Sequence, residues 1–149
     1  MQGGLTVGPF QDHMANGNLS TNGRMPVFSH VMVGSNDIQK AKAFYDATFK
    51  AMGGTEGVLD PHGRLIYQHN GGLFLVSKPI NGDPATHANG GTIGFSMTAE
   101  QADAWYAAGV ASGGTACEDP PGVREGMPYY LAYLRDPDGN KLCALHYMA

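Results

Sequence analysis

The strongest constraint on the fold is that one pattern of predicted elements occurs twice in this chain. A strand, a helix and three short strands are predicted from Pro26 onward, and the same order is predicted again from Gly91, a period of about 60 residues. Short stretches agree as well: residues 43–45 (AFY) match residues 104–106 (AWY), and each helix is followed by the letters GGT. The repeat predicts one domain, residues 25–149, made of modules 26–80 and 90–149 with a Pro/Gly-containing linker between them.

Composition excludes several classes of protein. The chain has 149 residues, a hydrophobic fraction of 42% and a charged fraction of 15%, which is typical of a globular domain. Its net charge of −4 and lack of any basic run argue against nucleic-acid binding, which needs clustered cations. No apolar stretch approaches the ~18–20 residues of a membrane span. We therefore expect no nucleic-acid partner and no membrane association.

The two cysteines, Cys117 and Cys143, allow one disulfide and form no CxxC or Cys/His metal motif. A reduced, cytoplasmic protein is the simplest expectation, since no charged region followed by an apolar run marks a signal peptide. Residues 1–24 are rich in Gly, Asn, Ser and Gln and carry no helical or alternating period. This segment is predicted to be a tail, the alternative being an arm that packs on a partner subunit.

The local signals place the elements in each module. The first strand is predicted over residues 27–33, followed by a helix capped by Ser35 or Asn36 with Asp37 in its first turn. The second helix is predicted to begin at Thr98, with Gln101 completing a capping box. Its apolar face is predicted to consist of Ala104, Trp105, Ala108 and Val110.

Three local sequences carry a family resemblance: residues 30–33 (HVMV) opening the domain, residues 43–46 (AFYD) in the first helix, and the DPDG turn at residues 136–139 before the last strand. Together with the duplicated βαβββ order, these resemble the vicinal oxygen chelate superfamily of glyoxalases, bleomycin-resistance proteins and extradiol dioxygenases. The resemblance implies an α+β fold in which two tandem βαβββ modules form a curled mixed sheet, a half-barrel with a ligand cavity. It also implies a small organic ligand and a homodimer.

Strand alternation predicts which side chains face that cavity. Val31 and Val33 are core residues and should face the helix, so His30 and Met32 face the opposite way. In the superfamily the face away from the helices forms the ligand cavity. Metal-binding members place ligands on the first, fourth, fifth and last strands of that face. Carrying these four stations over by the motifs gives His30, Leu75, Thr92 and Cys143.

This ligand set departs from the family pattern, which uses His and Glu. Leu75 cannot bind a metal, Thr92 stands where a His is common, and Cys143 stands where a Glu is common. A divalent ion needs about three protein ligands, and only His30 and Cys143 could contribute here. No cofactor is therefore expected, and a divalent metal is disfavoured, with His30 and Cys143 as its candidate ligands.

Other residues are candidates for ligand contact or catalysis. His30 could act as a general base without a metal, although a half-buried, hydrogen-bonded histidine is the plain alternative. Tyr133 shares its strand face with Tyr129 and suits a planar guest, ordinary strand composition being the alternative. The loop at residues 120–128 is long enough to act as a lid, and its cation Arg124 could bind a carboxylate. Cys143 is expected to act as a small buried side chain or a ligand contact.

Two functions follow from these observations. The first is a glyoxalase-like, metal-independent lyase or isomerase in which His30 moves a proton. The second is a drug- or metabolite-sequestering protein of the bleomycin-resistance type, and a metal-dependent enzyme with an atypical ligand set is a further alternative. Trp105 and the tyrosines are the predicted interface residues of the homodimer.

Overall fold

A computed structural model of the protein describes residues 27–148. The predicted tail at residues 1–24 lies outside the described residues. In chain order the elements are β1 (Val31–Gly34), α1 (Ile38–Ala51), β2 (Val58–Leu59), β3 (Leu65–His69), β4 (Gly72–Ser77), β5 (Ile93–Ser96), α2 (Ala99–Ala111), β6 (Thr115–Ala116), β7 (Gly122–Val123), β8 (Tyr129–Arg135) and β9 (Lys141–Tyr147).

The strands form two mixed sheets, one from each predicted module. The first has the order β1-β4-β3-β2, with β1 parallel to β4. The second has the order β5-β9-β8-β6, with β5 parallel to β9 and with β7 pairing with β8 as well. Two helices with two unclosed mixed sheets are the predicted α+β architecture, which the structure confirms. Among the described residues, neither helix is long and apolar enough to cross a membrane.

Each helix begins at a side-chain cap. The α1 cap is Asp37, whose carboxylate accepts hydrogen bonds from the backbone N–H groups of Gln39 and Lys40 at 3.1 Å each. The prediction of Ser35 or Asn36 as the cap was wrong by one or two positions, because Ser35 is fully buried and instead accepts a bond from the Asp37 N–H. For α2, the predicted capping box of Thr98 is confirmed.

The predicted strand faces are confirmed. Val31, Val33, Phe74 and Val76 pack on the helices in one core that both modules share. On the opposite face of the first sheet, Ile66, Leu73 and Leu75 form a second, separate buried cluster. Each sheet therefore has one face in the common core and one face away from the helices, as the resemblance implies.

Helix α2 approaches α1 through a glycine. A Cβ at Gly109 would lie 2.3 Å from Leu134 and about 3 Å from Phe44 and Thr48 of α1. The buried residues of α2 are Ala102, Trp105 and Gly109, so the predicted apolar face was wrong at Ala104 and Val110, which are exposed. Trp105 is only 1% exposed and packs in the core, so its prediction as an interface residue was wrong too.

The DPDG turn fastens the second module to the first. Asp136 is buried in this turn and accepts hydrogen bonds from the Tyr45 hydroxyl of α1 at 2.6 Å and from the Asn140 amide at 2.8 Å. The same Asn140 amide donates to the Gly34 carbonyl at the end of β1. Asp138 accepts from the Asn36 N–H at 2.7 Å. The most recognisable motif of the sequence is thus a joint between the modules.

Two further predictions need correction. The first strand begins at Val31 and not at Val27, and Val27 and Phe28 are strongly exposed. The predicted lid at residues 120–128 contains β7, whose two residues pair with Leu131 and Tyr130 of β8. Backbone pairing therefore anchors this loop to the sheet at its centre.

Candidate functional site

Side chains of the second sheet that face away from the helices form a continuous surface, here called the polar face. Tyr133 of β8 lies directly opposite Cys143 of β9, and Gly94 of β5 lies on the other side of Cys143. The next pair along the strands, Leu131 and Leu145, shares this orientation because side chains alternate in step on paired strands. A Cβ built on Gly94 would meet no atom of the described residues within 4 Å, so the space at Gly94 is open, whereas Cys143 beside it is only 5% exposed.

Charged groups border one end of the polar face. The Lys141 ammonium lies 3.0 Å from the Glu118 carboxylate and 5.0 Å from the centre of the Tyr133 ring. This second contact is within the range of a cation–π interaction. Glu118 adopts a positive φ of 58°, in the irregular stretch between β6 and β7.

Arg124 is held by its own loop. Its guanidinium donates to the backbone carbonyls of Asp119, Pro120 and Gly122 at 3.0–3.1 Å. Through these bonds Arg124 stabilises the β7 loop. This role differs from the predicted one, which was to bind a ligand carboxylate. Its positive charge still acts on the polar face, since it opposes the rise in the pKa values of both Tyr133 and Cys143.

Burial keeps the two central groups of the polar face protonated. It raises the pKa of the Cys143 thiol, and the hydrogen bond with Tyr133 lowers that pKa without reversing the shift. Burial, and then the neighbouring Cys143, raise the pKa of the Tyr133 phenol. Since a reactive cysteine needs a lowered pKa, Cys143 here is a neutral group beside a neutral phenol. The Cys143 thiol donates to the Ala144 carbonyl at 3.5 Å and is hydrogen-bonded to Tyr133, so the Tyr133 hydroxyl is the group of this pair that can meet a ligand.

The other predicted site residues lie elsewhere. His30 precedes β1, is exposed, and has its Nδ1 atom 2.9 Å from the Ser29 hydroxyl. Leu75 is completely buried at the centre of β4, opposite Met32 and Ile66 in the first sheet. Thr92 is exposed and directly precedes β5. The structure therefore brings Tyr133 and Cys143 together near Arg124, whereas His30 and Leu75 belong to the other sheet.

Comparisons with known proteins agree with this architecture. The family model of the glyoxalase/bleomycin resistance protein/dioxygenase superfamily matches residues 27–144. The chain belongs to this superfamily. A glyoxalase/bleomycin resistance protein from Albidiferax ferrireducens is 55% identical in sequence, with a TM-score of 0.77, and the match covers 81% of this chain and 99% of that one.

More distant superfamily structures share the fold. The fosfomycin resistance protein FosX from Listeria monocytogenes, complexed with Mn(II) and a sulfate ion, is 17% identical over 81% of this chain and 90% of that chain, with a TM-score of 0.62. A lactoylglutathione lyase from Agrobacterium tumefaciens is 23% identical over 82% of this chain and 95% of that chain, with a TM-score of 0.56. A comparison with curated proteins gave no match.

The four positions at which the resemblance places the family's metal ligands hold side chains of different chemistry. They hold one imidazole (His30), one alkyl chain (Leu75), one hydroxyl (Thr92) and one thiol with a raised pKa (Cys143). A metal would have to bind the thiolate, which burial disfavours, and would still lack a third strong ligand. Within residues 27–148, no group of three or more His, Cys, Asp or Glu side chains could hold a metal ion.

The sequence alone did not reveal the role of Glu118. It looked like one of two adjacent loop acids, and only the pairing of β6 with β8 brings it to Lys141. The disulfide left open by the sequence is also resolved, since Cys117 and Cys143 are both free thiols. Cys117 follows β6, on the far side of Tyr133 from Cys143; its N–H donates to the Tyr133 carbonyl at 3.5 Å.

Proposed function

We propose that this superfamily member binds a small organic molecule on the polar face without a resident metal, and that it acts as a sequestering protein. The observation that carries the proposal is the neutral Tyr133 hydroxyl, hydrogen-bonded to Cys143 beside the space at Gly94, in a chain whose positions for the family's metal ligands hold only one imidazole and one thiol as candidate ligands. A binding site needs convergent polar groups on an apolar surface, and Leu131 and Leu145 supply that surface.

Binding is favoured over catalysis because the polar face has no suitable general base. A catalytic base needs a pKa near the working pH. The pKa values of Tyr133 and Cys143 are both raised from values already above neutrality, and the Glu118 carboxylate is ion-paired with Lys141 at 3.0 Å. The metal-independent lyase or isomerase is the second candidate and would depend on His30, which is exposed and directly precedes β1 of the first sheet.

The chemistry of the polar face favours a planar ligand that carries hydrogen-bond acceptors or a negative charge. The Tyr133 hydroxyl can exchange a hydrogen bond with the ligand, and the cations Lys141 and Arg124 outnumber the carboxylate of Glu118. Further along the same face, the rings of Tyr129 and Tyr147 lie 5.8 Å apart and provide aromatic contact area.

The test is ligand titration by calorimetry, with bleomycin, fosfomycin and lactoylglutathione as the first probes and a thermal-shift library of small aromatic acids as the second set. Any ligand found is then titrated against Tyr133→Phe, which we expect to weaken binding about 10-fold, since a lost hydrogen bond of ~1.4 kcal/mol corresponds to this factor.

Tyr130→Phe is the matched control, because Tyr130 lies on the same strand with its hydroxyl turned the other way, toward Asp103 of α2. An equal loss of affinity in both variants, or no binding by any probe or library member, would contradict the assignment to the polar face. Turnover of a bound ligand that disappears in His30→Ala at unchanged affinity would support the enzyme instead. Elemental analysis of the purified protein tests the metal prediction: stoichiometric zinc, nickel, iron or manganese would overturn it.

Two expectations accompany this proposal. We expect a homodimer, which light scattering behind a sizing column can test. Cytoplasmic localisation also stays a prediction.

A further inference from the structure

A cavity lies between the edges of the two sheets and shares Gly94 with the polar face. Strand β1 is an edge of the first sheet and β5 is an edge of the second. A cavity of about 300 Å³ lies beside them. It is lined by Val31, Ile93–Ser96, the end of α1 (Phe49 and Met52), and Tyr67, His69, Asn70 and Gly72–Phe74 of the β3–β4 hairpin. Neither Tyr133 nor Cys143 contributes to it.

The cavity is lined by the rings of Phe49, Tyr67, Phe74 and Phe95, which pack against one another. Phe49 stacks on Tyr67 with ring centres 4.5 Å apart and an interplanar angle of 16°. Phe95 meets both Phe49 and Phe74 edge to face, at 5.8 and 5.5 Å. The Tyr67 hydroxyl donates to Asp46 at 2.8 Å, so this ring is also held at its polar end. The wall is therefore formed before any ligand arrives.

Polar groups lie at one end of the cavity and along one side. His69 meets Phe49 edge on, and its Nε2 atom lies 3.1 Å from the Asn70 amide at the hairpin turn. Along the other side, β5 pairs with β9 only, among the strands the structure describes. Its outer backbone N–H and C=O groups therefore border the cavity. A ligand here would contact aromatic faces and exchange hydrogen bonds at the edges.

We propose that this cavity binds a planar, uncharged molecule of one or two aromatic rings with a single hydrogen-bonding group. The volume is at the small end for ligand pockets and twice the ~150 Å³ that accommodates benzene in an engineered protein cavity. The aromatic wall favours a flat ligand through stacking and edge contacts. Among residues 27–148, no carboxylate or ammonium group lines the cavity, which favours an uncharged ligand.

Indole is the probe, because it is planar, uncharged and has one N–H donor. We expect saturable binding in the micromolar to low millimolar range by calorimetry. In backbone amide NMR spectra, indole should shift the peaks of residues 69–74 and 93–96. Cyclohexanol, which has a hydroxyl group but no flat ring, should bind at least 10-fold more weakly.

Variants separate this cavity from the polar face. Phe95→Leu keeps an apolar side chain but removes a ring, and should weaken indole binding at least 5-fold. His69→Ala should weaken indole binding 2- to 5-fold. His62 is an exposed histidine of the same module that does not line the cavity, so His62→Ala should leave indole binding unchanged. Tyr133→Phe should also leave indole binding unchanged. The two proposals can therefore fail independently: absence of indole binding would not contradict ligand binding on the polar face, and absence of ligand binding on the polar face would not contradict indole binding in the cavity.

The proposal is overturned if indole shows no saturable binding up to its solubility, if its NMR shifts fall on β8 and β9 alone, or if His62→Ala weakens binding as much as His69→Ala. Thermal melts of each variant without indole establish that the protein is folded, so a loss of affinity reports on the cavity.

Discussion

The two modules have similar faces toward the core and different faces away from it. In the first sheet the outer face carries Ile66, Leu73 and Leu75, an apolar cluster that is almost completely buried. In the second sheet the equivalent face carries Tyr133 and Cys143, with charged groups at its border. A duplicated pattern must keep its core face apolar in both copies, since both pack against helices. The opposite face is free to diverge, and the candidate ligand site lies on the copy that became polar.

Turn aspartates show a second difference between the modules. Asp60, before β3, accepts bonds from Arg64 and from the N–H of His62. Burial alone would raise its pKa, but the bonds from Arg64 and His62 lower it overall. For Asp136 in the DPDG turn, burial outweighs the bonds from Tyr45 and Asn140, and the pKa is raised. The turn at Asp60 therefore favours the ionised carboxylate. In the turn at Asp136, burial removes water from the carboxylate and disfavours its ionised form.

The largest effect is expected from deleting a side chain in the buried outer cluster. Leu75→Ala should lower the free energy of unfolding by ~2–5 kcal/mol, because Leu75 is fully buried and its truncation leaves a cavity that the surrounding side chains fill only partly. Cys143→Ala, the corresponding deletion on the polar face, should cost about 1 kcal/mol or less, since it borders open space. Urea denaturation measures both, and equal losses would remove the contrast between the faces.

A glycine substitution tests the packing that unites the modules. Gly109→Ala should destabilise the protein by ~1–3 kcal/mol, because its Cβ would overlap the buried Leu134. Helix propensity alone predicts the opposite, a gain of about 1 kcal/mol. Gly91→Ala is the control: nothing lies within 4 Å of its added Cβ, so stability should stay the same or rise slightly. Stabilisation by Gly109→Ala would mean that α1 and α2 lie further apart than the contact at Gly109 indicates.

The joint at the DPDG turn should contribute less than core packing. Tyr45→Phe removes a buried hydrogen bond to Asp136 and should cost ~1.5–3 kcal/mol, as for other bonds to charged groups. Tyr67→Phe removes a similar bond to Asp46, a more exposed acid within the first module, and should cost about 1 kcal/mol. Thermal unfolding measures the stability of both variants. A smaller loss of stability in Tyr45→Phe than in Tyr67→Phe would contradict a stabilising contact between the modules at the DPDG turn.

Acid titration tests the difference between the two aspartates. Because the pKa of Asp60 is lower in the folded protein than in the unfolded chain, its contribution to stability is present above the unfolded pKa, near about 4, and is lost as the pH falls through the folded pKa. Wild type should therefore be more stable than Asp60→Asn at pH 6, and the difference should narrow below about pH 4. Urea denaturation midpoints of both proteins across this pH range measure the difference in stability. A difference that does not change with pH would contradict the lowered pKa of Asp60.

The smallest effect concerns the two thiols. Both should titrate as free thiols in the native protein, and Cys117, which is more exposed, should react with a disulfide reagent faster than Cys143. The raised pKa of each thiol should make both slower than a free cysteine in solution. Reaction kinetics of Cys117→Ser and Cys143→Ser assign the two phases to the two thiols. A Cys143 thiol that reacts faster than Cys117 would contradict this prediction.

Sequence by itself determined the repeat, the order of the elements and the direction of most side chains. These are local properties: alternation along β1 separates Val31 and Val33 from Met32, and Thr98 with Gln101 marks the start of α2. Local signals also erred by small amounts, as when Asp37 and not its neighbours capped α1. They led to the superfamily as well, since its motifs are short stretches of the chain.

Tertiary structure decided what depends on residues far apart in the chain. Helix periodicity favoured Val110 for the apolar face of α2, but the close approach of α1 selected Gly109 instead. The pairing of β6 with β8 brought Glu118 to Lys141, and the meeting of two sheet edges made the aromatic cavity. Strand register and the distance between packed elements depend on the whole set of buried contacts, which no local pattern encodes.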